Sequence, residues 1–301
     1  MAVIGHPYAN ARIGLATIHA KELAVAPAFR RVLGAEVVVA HGLDTDALGT
    51  FSGEVARPDA LVETALLKAD MLFEAMPDLD YALASEGSYG PIDRVPLAPG
   101  GVELLAFIDR KRGLRHVETL ATHRTNWRLQ RFAAGDPARL VALKEMGFPE
   151  FGVFVVCSSD MSQPIKGLAT VEAVIEAMDR EARRSEDGLA VLYSDMRAHQ
   201  NPLRMKVLRA VGWKLAKRLA TLCPRCQAPG WGFIDSRRGL PCEACTEPTH
   251  WIDFEIDGCT VCGHAASRPR KDGRRTASLM SCRSCRIVEV PSAYRQPRCQ
   301  P

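Results

Sequence analysis

Long hydrophobic runs are missing from this sequence. No window comes near the roughly 18 consecutive apolar residues that a membrane-crossing helix requires. An apolar stretch is missing from Met1–Ala20 as well, where His6, Asn10 and Arg12 stand in place of a signal-peptide core, so secretion is not expected. The expectation is a cytoplasmic protein with no membrane partner. Internal repeats and low-complexity tracts are absent, which excludes solenoid and fibrous architectures. The first 220 residues have no charge excess, with 27 Lys and Arg against 27 Asp and Glu. They also lack cysteine apart from Cys157, so no cysteine-ligated metal site can be built there.

What the first 220 residues lack, the tail has. Nine of the ten cysteines follow Leu222, and the tail's twelve Lys and Arg against eight Asp and Glu account for the whole formal charge of +4. Rich in Gly, Pro and Arg, with few apolar runs, it cannot fold on burial alone and needs a staple. Eight cysteines form four C-x-x-C knuckles, Cys223/Cys226, Cys242/Cys245, Cys259/Cys262 and Cys282/Cys285. The first two knuckles are separated by 15 residues and the last two by 19, both within zinc-ribbon spacing. Two thiolates in one tight turn grip an ion, and a second such turn closes a tetrahedron. With no signal peptide expected, a reducing compartment is expected too, which favours metal over disulfides.

The expectation is therefore two structural zinc ions. Sequential pairing (first knuckle with second, third with fourth) is the simplest arrangement, and the spacing equally admits an interleaved one. Cys299 is left over, and His250 and His264 read as surface residues. Four thiolates fill each coordination sphere, so neither ion keeps a position for reacting water. Each site would carry a net −2, bringing the protein near neutrality. Arg268, Arg270, Lys271, Arg274 and Arg275, opposed only by Asp272, form a basic loop that would touch nucleic-acid phosphates or a protein partner.

The larger domain, residues 1–220, alternates strand and helix patterns. Strands are expected at Ile13–Ala16, Glu36–Ala40, Asp80–Ala84, Gly152–Cys157 and Leu189–Tyr193. Helices are expected at Lys21–Leu33 (interrupted by Pro27), after Pro58-Asp59, at Pro137–Met146 and at Val171–Arg184. A long helix capped by Asn201-Pro202 follows. Val102–Ile108 and Leu114–Ala121 flank Arg110-Lys-Arg-Gly113, a hairpin signature. The class is α/β, with a mixed sheet, one antiparallel hairpin and a small zinc-ribbon domain at residues 221–301.

Polar residues gather in loops after strands, where α/β folds place ligands. One loop carries Lys21, a second Asp44 and Asp46, a third Glu86. A fourth carries Asp195, Arg197, His199, Asn201 and Arg204. Carboxylates with cations suit a Mg²⁺–phosphate pair.

Thr17-Ile-His-Ala-Lys-Glu22, Glu63-Thr-Ala-Leu-Leu-Lys-Ala69 and Ala84-Ser-Glu-Gly-Ser88 occur in an order that resembles the inosine/xanthosine triphosphate pyrophosphatases and Maf-like proteins. His19 and Thr64 stand where that group has asparagines. The resemblance implies an ITPase-like fold, Lys21 and Lys68 on phosphates, and Glu63 and Glu86 on Mg²⁺. Over nearly its whole length the chain also resembles a bacterial family of unknown function. The runs Asp44–Phe51, Ser85–Pro91, Thr125-Asn126, Asp195–Met205 and Cys223–Cys226 carry that likeness, which implies an architecture and no reaction. Whether the protein is an enzyme stays open. One reading is a Mg²⁺-dependent hydrolase of a nucleotide phosphoanhydride. Another is a non-catalytic nucleotide- or nucleic-acid-binding zinc-ribbon protein, and a third is a purely structural zinc module.

Overall fold

In the computed structural model the described residues are 5–40, 43, 60–92 and 95–286. The chain divides into two units, Met1–Ala220 and Thr221–Pro301. No helix among the described residues is long and apolar enough to cross a membrane.

The N-terminal unit contains two sheets rather than the single mixed sheet expected. The first has the order β2-β1-β3-β4-β5, with β1 Arg12–Ala16, β2 Glu36–Val39, β3 Tyr81–Ile92, β4 Val95–Asp109 and β5 Leu114–Thr122. β1 pairs in parallel with β2 and β3, while β3, β4 and β5 form an antiparallel meander. The turn at 110–113 is the expected hairpin, closing on Gly113 at φ 62°. Helices α1 (Glu22–Leu33) and α2 (Leu61–Ala75) supply the parallel crossovers, and α1 runs through Pro27 without breaking.

Strand alternation decides what each face of this sheet holds. Ile13, Leu15, Leu83, Leu105 and Phe107 point to one face and pack with Val25, Phe29 and Leu33 of α1. Val211, Leu215 and Leu219 of α5 (Pro202–Ala220) join the same cluster. Ala16, Ala82 and Ala84 point to the other face and meet Ala69 and Leu72 of α2. These residues are small because α2 lies close; a Cβ at Gly14 would collide with the Leu72 side chain.

The second sheet is wholly antiparallel, in the order β6-β9-β7-β8. Its strands are β6 Leu129–Ala133, β7 Val153–Cys157, β8 Asp160–Ile165 and β9 Leu189–Ser194. α3 (Ala138–Met146) and α4 (Val171–Arg184) pack on one face through Leu143, Met146, Val174 and Met178. The central strands β7 and β9 match the sequence pattern. The edge strands β6 and β8 mix polar with apolar residues, as edges with one exposed side do, and neither is among the strands the sequence pattern predicts.

In the C-terminal unit, β10 (Gly232–Arg238), β11 (Ile252–Gly258) and β12 (Ala265–Pro269) form an antiparallel three-stranded sheet. Its buried cluster is Cys223, Ala228 and Cys259, flanked by Trp231 and Cys262. Among the described residues the apolar core of this unit therefore consists largely of cysteine.

Candidate functional site

The topology of the tail decides the pairing of its knuckles. β10 and β11 form a hairpin in which Gly232 lies opposite Gly258 and Arg238 opposite Ile252. The knuckle before β10 and the knuckle after β11 thus meet at one end of the hairpin. The second knuckle, between the two strands, lies at the other end. β12 carries the chain back along β11, pairing Ala265 with Gly258 and Pro269 with Phe254. Ala277 then bonds the second knuckle's backbone, donating its N–H to Pro241 and accepting from Glu243.

The two quartets are accordingly Cys223, Cys226, Cys259, Cys262 and Cys242, Cys245, Cys282, Cys285, with all four sulfurs of each within 4.8 Å of one another. Of the two pairings that the spacing admits, the fold adopts the interleaved one. Sγ–Sγ separations are 3.8 Å (Cys223–Cys262), 3.6 Å (Cys226–Cys259), 3.9 Å (Cys242–Cys285) and 3.5 Å (Cys245–Cys282). A tetrahedron with Zn–S bonds of about 2.3 Å has edges of about 3.8 Å, so the residues fit zinc.

Each knuckle is closed by the same backbone bond, from Gln227, Thr246, Gly263 and Arg286 to the carbonyls of Cys223, Cys242, Cys259 and Cys282. The N–H groups of Cys245 and Ala244 draw the Cys242 thiol down to about 7, toward the thiolate that binds metal. His264 stacks on Trp231 at 5.3 Å and His250 is exposed; neither belongs to a quartet. Cys299 lies outside the described residues.

The basic loop is less basic than its sequence. Arg268 lies on β12, bonded to Asp257 at 3.0 Å and ion-paired with Glu255. Arg270 is held by Asp272 at 2.5 Å and by the Ile252 carbonyl at 2.6 Å. Arg270 and Arg274 both lie over the Trp251 ring, at 5.8 and 5.6 Å from its centroid. Asp272 is therefore not the only opposing acid, because β11 supplies two more through strand register.

In the N-terminal unit, β3 does not end at Ala84 as its loop-like composition suggests. It continues to Ile92, paired throughout with β4. β1 stops at Ala16, opposite Ala84, so β3 runs on past its parallel neighbour. With the order β2-β1-β3, this is the point where connections leave in opposite directions, the usual ligand crevice of an open α/β sheet.

Several charged side chains meet there. Glu86 points to the α2 face and pairs with Lys68 at 2.5 Å, both buried. Glu103 of β4, opposite Gly87, points to the other face and pairs with Arg204 of α5; both side chains are 0% exposed. Gly87 is required, since a Cβ there would strike the Glu103 carboxylate. Lys21 opens α1 at the end of β1 and donates to the Ser85 carbonyl at 3.3 Å. Burial, then Arg204, lowers its ammonium to about 8, with Glu86 and Glu103 opposing and Lys68 adding to the fall. The Ser85 hydroxyl, 1% exposed, has no hydrogen-bond partner among the described residues. His19 stacks on His199 at 4.9 Å, and burial depresses the His199 imidazole.

The structure thus brings together Lys21, Lys68, Glu86 and Arg204, with His199 adjacent. Glu63 is exposed, off the helix face that carries Thr64 and Lys68 to the sheet. Asp44 and Asp46 lie outside the described residues. Asp195 is bound in place by Arg197, at 2.6 Å. Asn201 caps α5 by accepting from the Arg204 N–H at 3.0 Å and ties it to Asn126 at 2.8 Å. Sequence reasoning missed Glu103 and Ser85. The one available signal was a carboxylate in the otherwise apolar run Val102–Ile108.

A family model described as a domain of unknown function, DUF6671, matches residues 71–287, more than two thirds of the chain. The match includes Glu86, Glu103, Arg204 and all eight knuckle cysteines, while Lys21 and Lys68 precede it. No curated protein and no solved structure matches, so the likeness to inosine/xanthosine triphosphate pyrophosphatases gains no support. Two units, one a mixed α/β body and the other an interleaved pair of four-cysteine sites, are the architecture of this chain, which belongs to the DUF6671 family.

Proposed function

We propose that the N-terminal unit binds a small phosphate-bearing ligand of the nucleotide class at the end of β1 and β3, and that the two zinc sites are structural. The observation that carries this reading is Lys21. It is 8% exposed, has no carboxylate partner among the described residues, and stands beside the Ser85 hydroxyl, which has no hydrogen-bond partner among them either. A buried charge without a partner is expensive, and an anionic ligand offsets that cost. Ala20, at φ 53°, and Lys21, at φ −69°, form a left-handed/right-handed pair of the kind that turns successive N–H groups into an anion cradle. They open α1, whose dipole favours negative charge at the same place.

Binding is favoured here over Mg²⁺-dependent hydrolysis. Glu86 and Glu103 already neutralise Lys68 and Arg204. Among the described residues the two cysteine quartets are the only clusters of three or more metal-capable side chains. The remaining exposed charges of the basic loop, Lys271, Arg274 and Arg275, leave a nucleic-acid partner with less support than their sequence suggests.

The test is a thermal-shift and calorimetric panel of inorganic phosphate, pyrophosphate and nucleoside mono- and triphosphates, with and without Mg²⁺. Phosphate and pyrophosphate release are followed on the same preparation. The reading requires a stabilising ligand whose effect disappears in Lys21→Met. Silence across the panel, or unchanged binding by that variant, refutes it, and Mg²⁺-dependent turnover would restore the hydrolase.

A further inference from the structure

Four elements around Lys21 contribute a charge to it. α2 brings Lys68 and α5 brings Arg204, both cations; β3 brings Glu86 and β4 brings Glu103. The carboxylates are engaged on opposite faces of the sheet, Glu86 by Lys68 and Glu103 by Arg204. Lys21 sits where β1 ends and feels both pairs, yet among the described residues the only hydrogen bond of its ammonium is to the Ser85 carbonyl. The cluster named here therefore has three cations against two carboxylates. The donors left at the site are two N–H bonds of the Lys21 ammonium, the Ser85 hydroxyl, and the N–H groups of Ala20, Lys21 and Glu22, which have no backbone acceptor among the described residues. That donor set matches the three oxygens of one phosphoryl group better than two carboxylate oxygens. One surplus cation does not match a triphosphate.

Resting on the anion-binding reading above, we infer that the ligand presents a single phosphoryl group, as a phosphomonoester or inorganic phosphate does, and that Lys21 takes up a proton as that group binds. Burial without a counter-ion favours the neutral amine in the ligand-free site. The ligand supplies the missing counter-ion and returns the amine to its charged form. The ammonium at about 8 agrees with this geometry. The site consequently couples ligand affinity to pH on the alkaline side of neutrality.

Calorimetry with inorganic phosphate on the full chain tests this at pH 8.5 and 9.5, in two buffers of different ionisation enthalpy. Phosphate is dianionic across this window, and burial lowers the His199 imidazole further below it. Close to one proton should be taken up per phosphate, and affinity should be about eightfold weaker at the higher pH, as follows from linkage to one group titrating near 8. Lys21→Arg, which keeps its charge, should bind equally at both pH values with no proton uptake. The wild-type proton count needs no variant, so misfolding of Lys21→Arg does not rescue the inference. Binding that is independent of pH, without proton uptake, overturns the inference and leaves the anion site standing. A nucleoside triphosphate binding more than tenfold tighter than its monophosphate overturns the single-phosphoryl assignment. No binding of any anion overturns both.

Discussion

Interleaved zinc sites cannot be lost one at a time. Consider Cys259→Ser, which removes one of four thiolates from the first quartet. In two sequential ribbons, the site without Cys259 would fail and its neighbour would survive. Here the segment between Cys226 and Cys259 contains both Cys242 and Cys245, and the β10–β11 hairpin spans both sites. Seven residues per strand separate the sites by about 20 Å. A structural zinc contributes about 10–16 kcal/mol of apparent binding free energy, whereas a whole domain is stable by about 5–15 kcal/mol. The buried cluster of this unit is itself largely zinc-ligating cysteine, so no separate core holds the sheet after one ion leaves. Cys259→Ser should therefore bind no zinc tightly, rather than one ion, and so should Cys282→Ser. Elemental analysis with chelator titration counts the ions, and amide hydrogen exchange across residues 232–269 reports the sheet. One tightly held zinc in either variant, with protected amides in β10 and β11, would refute the reasoning. Cadmium substitution with NMR correlation to cysteine protons gives the pairing directly, and it must group Cys223 and Cys226 with Cys259 and Cys262.

Stability of the ligand-free protein should rise with pH where Lys21 titrates. Its folded value, about 8, lies below the ordinary lysine value of 10.5, so the unfolded chain binds more protons between these limits. One such group adds about 2 kcal/mol between pH 7.5 and 9.5. Denaturant titrations should show this increment in the wild type relative to Lys21→Met, which should also be the more stable of the two at pH 7.5. Glu86→Gln leaves Lys68 buried without its partner and should cost about 3–5 kcal/mol. Replacing both members by Leu and Met should recover most of that loss; an additive penalty in the double variant counts against the pair. Gly87→Ala drives a methyl into the Glu103 carboxylate that Arg204 holds, and should lower stability by about 1–3 kcal/mol, measured by thermal unfolding.

Local chemistry made much of this protein readable in its sequence. The C-x-x-C knuckles identify the zinc ligands because the grip is made within four residues. The β-branched and apolar runs identify β1, β2, β7 and β9, and the period-four stripe identifies α5, because each buries its own periodic face. Gly113 and its basic neighbours identify the β4–β5 turn.

What the sequence left open depended on partners far along the chain. β3 reads as a loop after Ala84 because Gly87 and Gly90-Pro91 break the strand pattern; only pairing with β4 keeps it extended. Edge strands β6 and β8 are polar where they face water. Spacing cannot choose between knuckle pairings, since both close a tetrahedron. The antiparallel hairpin chooses by placing its first and last residues side by side. Glu103 and Ser85 join Lys21 for the same reason: strand register brings together residues far apart in the chain, 64 positions in the case of Lys21 and Ser85, and no local pattern encodes register.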